Sequence, residues 1–332
     1  MQNPPRTAVV AAALLAVYLV WGSTYVAIRI AVDTLPPFLL AGVRFLLAGA
    51  VLYAWTSRRR DRTRAARGGA GRDAVAAEAD PIGPAQWGAA TLVGGLLLLG
   101  GNGLVVWGEQ TVTSGLAAMI IATVPLWMAL FGRVLLRERM TTVSVAGVLL
   151  GFAGVAVLIA PDGDRASDPA GTAALCLAAL SWGLGSVWSR RLPLPRRPLM
   201  ATALEMLGGG ALLTVVAVAG GELGRFDAGA VTARSWAALA YLVVFGSLVA
   251  FTAYVWLLAN VRSDLASTYA YVNPLVAVLL GWALLDETVT MRTLVGGGVV
   301  VLAVGLVLAG RPRKGPSAGE AAPELAAASR RT

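Results

Sequence analysis

Three ionisable side chains lie inside long apolar stretches of the sequence and could carry chemistry there: Arg29, Arg44 and Glu205. A charge in such surroundings is costly and marks a functional candidate. Glu205 could alternate between a proton and a cationic substrate, or it could be a structural carboxyl bonded to a neighbouring helix. The guanidinium of Arg44 could bind a carboxylate through two nitrogens. Alternatively, it could donate to backbone carbonyls that lack their partner within a helix. Arg29 lies near the end of its stretch, where it can reach lipid headgroups.

Aromatic and amide side chains in the same stretches form a second set of candidates. Trp21, Tyr25 and Arg29 follow at helical spacing, and an aromatic face of this kind can stack on flat or cationic molecules. Packing against neighbouring helices is the competing explanation. The predicted substrate-facing residues are Trp21, Tyr25, Arg44, Asn102, Trp182, Glu205, Tyr269 and Asn273, with Glu205 also predicted as the coupling residue.

Two prolines, Pro125 and Pro274, lie near the middle of their stretches and are predicted hinges. Proline lacks the N–H that a helix needs, and membranes tolerate this where protein or water satisfies the freed carbonyl. Glu109 follows another apolar stretch, where we expect it to cap the outer mouth of a cavity.

The composition excludes several kinds of chemistry. The chain has no His and a single Cys, Cys176, so it has no imidazole relay and no internal disulfide. It also lacks a phosphate-binding loop, a dinucleotide fingerprint and a nucleophile elbow. We therefore expect no metal site, no cofactor and no enzymatic activity.

The elements that position these candidates are transmembrane helices. Of 332 residues, 57% are hydrophobic and 14% are charged, whereas soluble domains have about 25% charged residues. A helix needs about 20 apolar residues to cross the bilayer. The sequence therefore predicts an all-α polytopic membrane protein with ten transmembrane helices. Their predicted ranges are 8–32, 37–56, 85–107, 113–135, 141–160, 170–189, 199–220, 235–257, 265–285 and 291–309.

Positive charge is concentrated in alternate connections. Of the 27 Lys and Arg residues, 21 lie in the amino terminus, the loops 57–84, 133–140, 190–198 and 258–264, and the carboxyl tail. Because cytoplasmic loops retain positive charge, both termini are predicted to face the cytoplasm. The net charge of +9 therefore indicates topology and contact with membrane lipids, not nucleic-acid binding.

The two halves of the chain resemble each other. At an offset of 149 residues, Leu135-Leu136-Arg137-Glu138 aligns with Leu284-Leu285-Asp286-Glu287, and Pro125 aligns with Pro274. Nearer the amino terminus the offset is 161, which superposes Arg44 on Glu205 and leaves an ion pair between them open. Five spans is an odd number, so the second repeat must be inverted. Inverted repeats around a central cavity are typical of secondary transporters.

Several motifs resemble those of the drug/metabolite transporter superfamily in its ten-helix form with two EamA-type repeats. They are Trp21-Gly22-Ser23-Thr24-Tyr25, Arg29, Pro36-Pro37, Arg44-Phe45, the repeated Glu138 and Glu287, and Ser267-Thr268-Tyr269-Ala270-Tyr271-Val272-Asn273-Pro274. The resemblance covers roughly residues 8–310 and is closest to bacterial inner-membrane exporters. It implies a central cavity and secondary transport, often efflux, and it does not name a substrate.

The predicted organisation has three parts: residues 1–160 as the first repeat, 161–310 as the second, and 311–332 as a cytoplasmic tail. The Arg-rich loop 57–84 and the tail are predicted to be disordered.

The predicted function is secondary transport in a bacterial inner membrane, with export of small amphiphilic metabolites or drugs by alternating access and proton coupling through Glu205. Uptake or facilitated diffusion of an amino acid or other small metabolite is the alternative, and an intramembrane lipid-modifying enzyme is the rival from another class. Expected partners are the substrate, membrane lipids and protons; a homodimer stays open.

Overall fold

The computed structural model describes residues 7–66, 82–160, 168–261 and 263–310. All regular structure within these ranges is helical, which confirms the predicted all-α membrane fold. Nine helices in the described ranges are long and apolar enough to cross a membrane. A shorter apolar helix, Tyr269–Leu285, corresponds to the predicted ninth span. In chain order, spans 1 to 10 are Thr7–Ala31, Pro37–Arg58, Pro84–Gly108, Ser114–Leu135, Thr142–Ile159, Pro169–Arg191, Pro198–Ala219, Ala233–Asn260, Tyr269–Leu285 and Met291–Ala309.

The helix of span 2 extends further than the sequence predicted. It continues to Ala66, so the prediction of disorder from residue 57 onward is wrong for residues 57–66. Arg and Ala, which fill this stretch, are favourable helix formers, and nothing in the stretch stops the helix. The remainder of the loop, 67–81, and the tail 311–332 lie outside the described residues.

Two spans change their helical pitch near the middle. Span 3 contains the π-helical segment Gly95–Gly103, and span 8 contains the π-helical segment Leu242–Val249. The two segments occupy nearly matching positions in the two repeats. π-Helical turns of this kind are frequent at functional sites because they reorient the side chains of a helix.

Two other spans are broken, although not in the same way. Span 4 consists of Ser114–Ile121 and Val124–Leu135, and Pro125 lies in the first turn of the second helix. In span 9, the short helix Ser263–Ala266 precedes Tyr269–Leu285, and Pro274 lies inside the longer helix. The break therefore falls directly before Pro125 but several residues before Pro274.

Small residues allow the closest helix contacts. Span 5 packs along span 10, and span 7 packs along spans 2 and 3. A Cβ added at Gly147 would lie 2.9 Å from the carbonyl oxygen of Ala303, and one added at Gly94 would overlap the carbonyl of Glu205. Glycine at these positions therefore sets the distance between the helices, as in other membrane bundles.

The same turn follows spans 4 and 9. Arg137 has φ 56° and Asp286 has φ 53°, and in both turns the next amide donates to the carbonyl six residues back at 3.1 Å. Glu287, in the second turn, contacts the start of span 4, whereas Glu138 follows the end of span 4. The equivalent turns therefore lie at opposite ends of the bundle, as an inverted repeat requires.

These turns define the two ends of the molecule. We call the end that carries Glu109, Ser114 and Glu287 the Glu109 end. We call the opposite end, which carries Glu138 and Arg190, the Glu138 end.

Candidate functional site

A cavity lies between the two halves, near the middle of the bundle. Its empty space, including the part open to solvent, is about 820 Å³. Spans 1, 2, 3, 4, 6, 8 and 9 contribute to its wall. The lining residues are Trp21, Thr24, Tyr25, Ile28, Arg44, Asn102, Val105, Ala118, Ile121, Ala122, Val124, Pro125, Trp182, Phe251, Tyr269, Ala270, Asn273 and Pro274.

The structure brings most of the predicted site residues together in this cavity. Both hinge prolines line it, as do all the predicted substrate-facing residues except one: Trp21, Tyr25, Arg44, Asn102, Trp182, Tyr269 and Asn273. The exception is Glu205. The helical spacing of these residues directs them to one side of each span, and the inverted repeat turns those sides toward each other.

Trp21 is held in an aromatic cluster at the cavity wall. Its ring centroid lies 5.2 Å from those of Phe251 and Tyr269 and 5.0 Å from that of Tyr254. The indole N–H donates to the carbonyl of Gly246 at 3.2 Å, within the π-helical segment of span 8. The indole is therefore fixed in orientation and can present a rigid apolar surface to a ligand.

Arg44 is a buried cation at the cavity wall. Its side chain is 3% exposed, its Nε donates to Ser247 Oγ at 2.9 Å, and its guanidinium carbon lies 4.7 Å from the ring centroid of Phe45. Its Nη1 is buried and has no hydrogen-bond partner within the described ranges. One strong donor is thus available for an anionic or carbonyl oxygen.

Two amide side chains add further polar groups to the cavity wall. Asn102 Nδ2 donates to the carbonyl of Leu97 at 3.4 Å in the π-helical segment of span 3. Asn273 is 8% exposed, and its Oδ1 is buried with no bonded partner among the residues described. A buried polar atom of this kind normally has a partner, so Asn273 offers an acceptor to a ligand.

Glu205 lies away from the cavity. It is on span 7, whose backbone at this residue is in close contact with Gly94 of span 3. Arg44 donates to Ser247 and not to Glu205, so the ion pair that the repeat left open does not form. The equivalence of the two residues fails because span 2 turns its charge toward the cavity, whereas span 7 does not.

Among the site residues that sequence reasoning missed are Phe251, which lines the cavity, and Ser247, which holds Arg44. Phe251 is the repeat equivalent of Asn102 at the offset of 149 residues, and this signal could have identified it. No comparable signal marked Ser247, because its contact with Arg44 depends on the π-helical segment of span 8.

Glu109 lies just beyond the cavity, at the end of span 3. Its amide donates to the carbonyl of Val105 at 2.9 Å, so it follows a cavity-lining residue by one helical turn. Its side chain is fully buried, and neither carboxyl oxygen has a hydrogen-bond partner in the described part of the chain. Burial raises the pKa of this carboxyl well above its usual value, Glu287 acts in the same direction, and Arg29 and Arg44 oppose it. Glu109 is therefore enclosed at this end of the bundle, and its role as a cap of the outer mouth stays a prediction.

Glu287 joins the two repeats at the Glu109 end. One carboxylate oxygen accepts from the amide of Ser114 at 2.8 Å, and the other accepts from the Ser114 hydroxyl at 2.9 Å and the Gly115 amide at 3.2 Å. Its repeat equivalent, Glu138, is about half exposed and pairs with Arg190 at 2.9 Å. The two ends of the molecule are therefore in different states.

Arg29 lies apart from the cavity. Its side chain is 35% exposed and lies 3.5 Å from Asp33, which agrees with its reaching the membrane surface.

Within the described ranges, no group of three His, Cys, Asp or Glu residues could hold a metal ion.

The sequence matches the profile of the EamA-like transporter family over residues 8–160 and 169–309, so each half matches separately. It is 39% identical over 300 residues to the uncharacterized inner membrane transporter YedA of Escherichia coli K12, which covers 90% of each chain. It is 23% identical over 290 residues to the uncharacterized transporter YoaV of Bacillus subtilis, covering 85% of this chain and 91% of the relative. A crystal structure of a protein 20% identical in sequence has a TM-score of 0.57 and covers 93% of this chain and 100% of that one. This last likeness shows the fold alone.

Proposed function

Because the chain belongs to the EamA-like transporter family, we propose that it is a secondary active transporter that exports a small amphiphilic molecule across a bacterial inner membrane. The observation that carries this proposal is the cavity near the middle of the bundle, lined by residues from both repeats. Inverted repeats that rock about a site at this depth are the usual architecture of secondary transport. Membership of a transporter family also favours transport over catalysis.

The lining of the cavity supports an amphiphilic substrate. The cluster around Trp21 offers a rigid aromatic surface, and Arg44 Nη1 and Asn273 Oδ1 are a buried donor and a buried acceptor that lack partners in the described structure. A molecule with a flat apolar part and an anionic or carbonyl group would satisfy the donor and cover the aromatic surface at the same time.

The difference between the two ends supports alternating access. Glu287 holds the start of span 4 at the Glu109 end, whereas Glu138 is exposed and paired with Arg190 at the Glu138 end. A rocking motion that exchanged these states would open one end while closing the other.

Sidedness and coupling enter as parts of the proposal. The distribution of Arg supports a cytoplasmic location for both termini and the Glu138 end, and an outer location for the Glu109 end. The similarity to the inner membrane transporter YedA supports an inner-membrane location. Proton coupling through Glu205 stays a prediction, a homodimer stays open, and export rests on the family resemblance.

Efflux from whole cells tests this function. Bacteria expressing the chain are loaded with a panel of amino acids, nucleosides, sugars and cationic drugs, and loss of each compound is followed by mass spectrometry against an empty vector. We expect faster loss of one chemical class with the wild type, little with Arg44→Gln, and unchanged loss with Arg29→Gln at equal membrane abundance. Equal loss of every compound would contradict export, and faster accumulation would favour uptake.

A further inference from the structure

We propose that Glu109 is a proton-binding site of the Glu109 end: it holds a proton while this end is closed and exchanges it with solution when the end opens. The inference rests on the proposed transport cycle and assigns a proton to a residue other than Glu205.

The surroundings of Glu109 favour the neutral acid. Its side chain is 0% exposed, and neither oxygen has a hydrogen-bond donor among the residues that the structure describes. An ionised carboxylate without donors is very costly in an apolar site, and such groups take up a proton instead.

Two other glutamates at the same end show what a bonded carboxylate looks like in this fold. Glu287 accepts three hydrogen bonds from Ser114 and Gly115, and Glu222 accepts from the amides of Phe38 and Leu39 at 3.3 and 2.8 Å. These donors compensate the charge of Glu287 and Glu222. Glu109 has no such donors among the described residues, so the charged form of its carboxyl is not stabilised in this way.

The charges around Glu109 come from several elements. Tyr25 and Arg29 on span 1, Arg44 on span 2 and Glu287 after span 9 interact with it electrostatically. Asp168, before span 6, is bonded to Thr111 beside it.

These charges do not supply a direct counter-ion. Arg29 is partly exposed and lies beside Asp33, so solvent weakens its effect. Arg44 is bonded to Ser247 through Nε, and its Nη1 has no partner in the described structure. Burial and Glu287 therefore prevail over the two arginines, in agreement with the raised pKa of the Glu109 carboxyl.

The position of Glu109 links its proton to the state of this end. The residue lies one turn beyond Val105, which lines the cavity, and Val106 and Val112 nearby are also buried. Water at the Glu109 end cannot reach the carboxyl in this conformation. Opening of this end would hydrate the carboxyl and return its pKa toward the ordinary value of about 4.3.

The sign of the pH effect follows from this difference. The closed state binds the proton more tightly than the open state, so acid solution stabilises the closed state. As pH rises from the ordinary carboxyl range toward the raised pKa, the closed state loses this advantage and the open fraction grows. Because a single proton is involved, the ratio of open to closed protein changes by at most about tenfold per pH unit.

Accessibility of a single thiol at this end tests the inference without any substrate. The full chain carries Cys176→Ala and Ala31→Cys and is reconstituted in liposomes, because Ala31 is 0% exposed near the Glu109 end of span 1. A membrane-impermeant maleimide is added on the Glu109 side over a pH series. Each labelling rate is divided by that of the same protein with Glu109→Gln, which cancels the pH dependence of the thiol itself.

We expect the ratio to rise with pH for wild-type Glu109 and for Glu109→Asp, and to rise equally in a matched Glu222→Gln control. A flat ratio would overturn the inference, and so would a rise that Glu205→Gln abolishes, since the proton would then reside at Glu205. If Glu109→Gln folded poorly, the infrared band of a protonated buried carboxyl in the wild type would decide: its absence at neutral pH overturns the inference. Because no substrate is present, failure here is distinct from failure of transport in cells.

Discussion

Arg44 combines a fixed position with an available donor. Ser247 holds its Nε and the ring of Phe45 lies beside its guanidinium, so the side chain is oriented before a ligand arrives. A preoriented donor loses little conformational entropy on binding, so we propose Arg44 as the residue that recognises an anionic group of the substrate.

Replacement of Arg44 should therefore weaken binding more than folding. A hydrogen bond to a charged group contributes about 1.5–3 kcal/mol, so Arg44→Gln should raise the KM of an anionic substrate roughly 10- to 100-fold. Arg44→Lys should restore only part of this, because lysine cannot keep the bond to Ser247 and reach the ligand as well. Initial rates in proteoliposomes measure the change, and an unaltered KM in both variants would remove Arg44 from the binding site.

The individual site residues could be predicted where helices are regular. Spacing on spans 1 and 9 identified Trp21, Tyr25, Tyr269 and Asn273, all of which line the cavity. Ser247 was missed because a π-helical turn shifts the phase of the helix, and this shift arises from tertiary packing. Glu205 was predicted at the site because it is a carboxyl inside an apolar span, but the sequence did not show that span 7 turns this residue away from the cavity.

Among the structural elements, the turns after spans 4 and 9 offer a matched pair for experiment. Both have the same backbone conformation, yet Glu287 binds the start of span 4 and Glu138 pairs with Arg190. Loss of one charged hydrogen bond costs about 1.5–3 kcal/mol. Glu287→Gln should therefore increase labelling of Ala31→Cys from the Glu109 side roughly tenfold or more.

Glu138→Gln serves as the control for that measurement, because it removes the same charge from the same turn at the other end. It should leave labelling at the Glu109 end unchanged or lower it. Equal increases in both variants would show general loosening of the bundle and would contradict a specific role of Glu287 in closure.

Asp168 stabilises the start of span 6 in a pH-dependent way. It accepts from Thr111 Oγ1 at 2.8 Å and from the amides of Gly171 and Ala170 at 3.0 and 3.2 Å. The Thr111 hydroxyl, followed by the Gly171 amide, lowers the pKa of the Asp168 carboxyl. The contribution to stability is thus present above the unfolded value of about 3.9 and is lost as pH falls through the folded value.

Thermal unfolding in detergent over a pH series measures this contribution. Asp168→Ala should be less stable than the wild type at neutral pH, and the difference should shrink in acid. Thr111→Val, which keeps the carboxylate but removes its hydroxyl donor, should show an intermediate difference. A gap between wild type and Asp168→Ala that stays constant down to about pH 3, below the usual carboxyl range, would show that ionisation of Asp168 is irrelevant.

The spans as elements were predictable from hydropathy and their internal breaks were not. Span 10 has the same bounds in the sequence and the structure, and most others differ by one to three residues. The break at Ala122–Thr123 and the π-helical segments lie within long apolar stretches whose hydropathy does not mark them. They form because neighbouring helices and a hydroxyl such as that of Thr123, which donates to Ile120 at 2.6 Å, satisfy the displaced backbone groups.

At the scale of the whole molecule, two halves with the same architecture surround one cavity but are not in the same conformation. The Glu109 end is held by Glu287 and encloses Glu109, whereas Glu138 at the other end is exposed. An inverted repeat allows these roles to be exchanged, so we propose that the structure is one of two conformations of similar energy. In the proposed transport cycle, this exchange would open the cavity to one side of the membrane at a time.

Substrate exchange by the purified chain tests the central claim most directly. Liposomes containing the wild type or Arg44→Gln are preloaded with an unlabelled compound that expressing cells lose fastest, and entry of the labelled form is followed without any imposed gradient. We predict rapid exchange with the wild type and roughly 10- to 100-fold slower exchange with Arg44→Gln at subsaturating concentration. The contradictory result is exchange that is no faster than in protein-free liposomes for every compound that the cells lose. Such a result would rule out transport through this cavity.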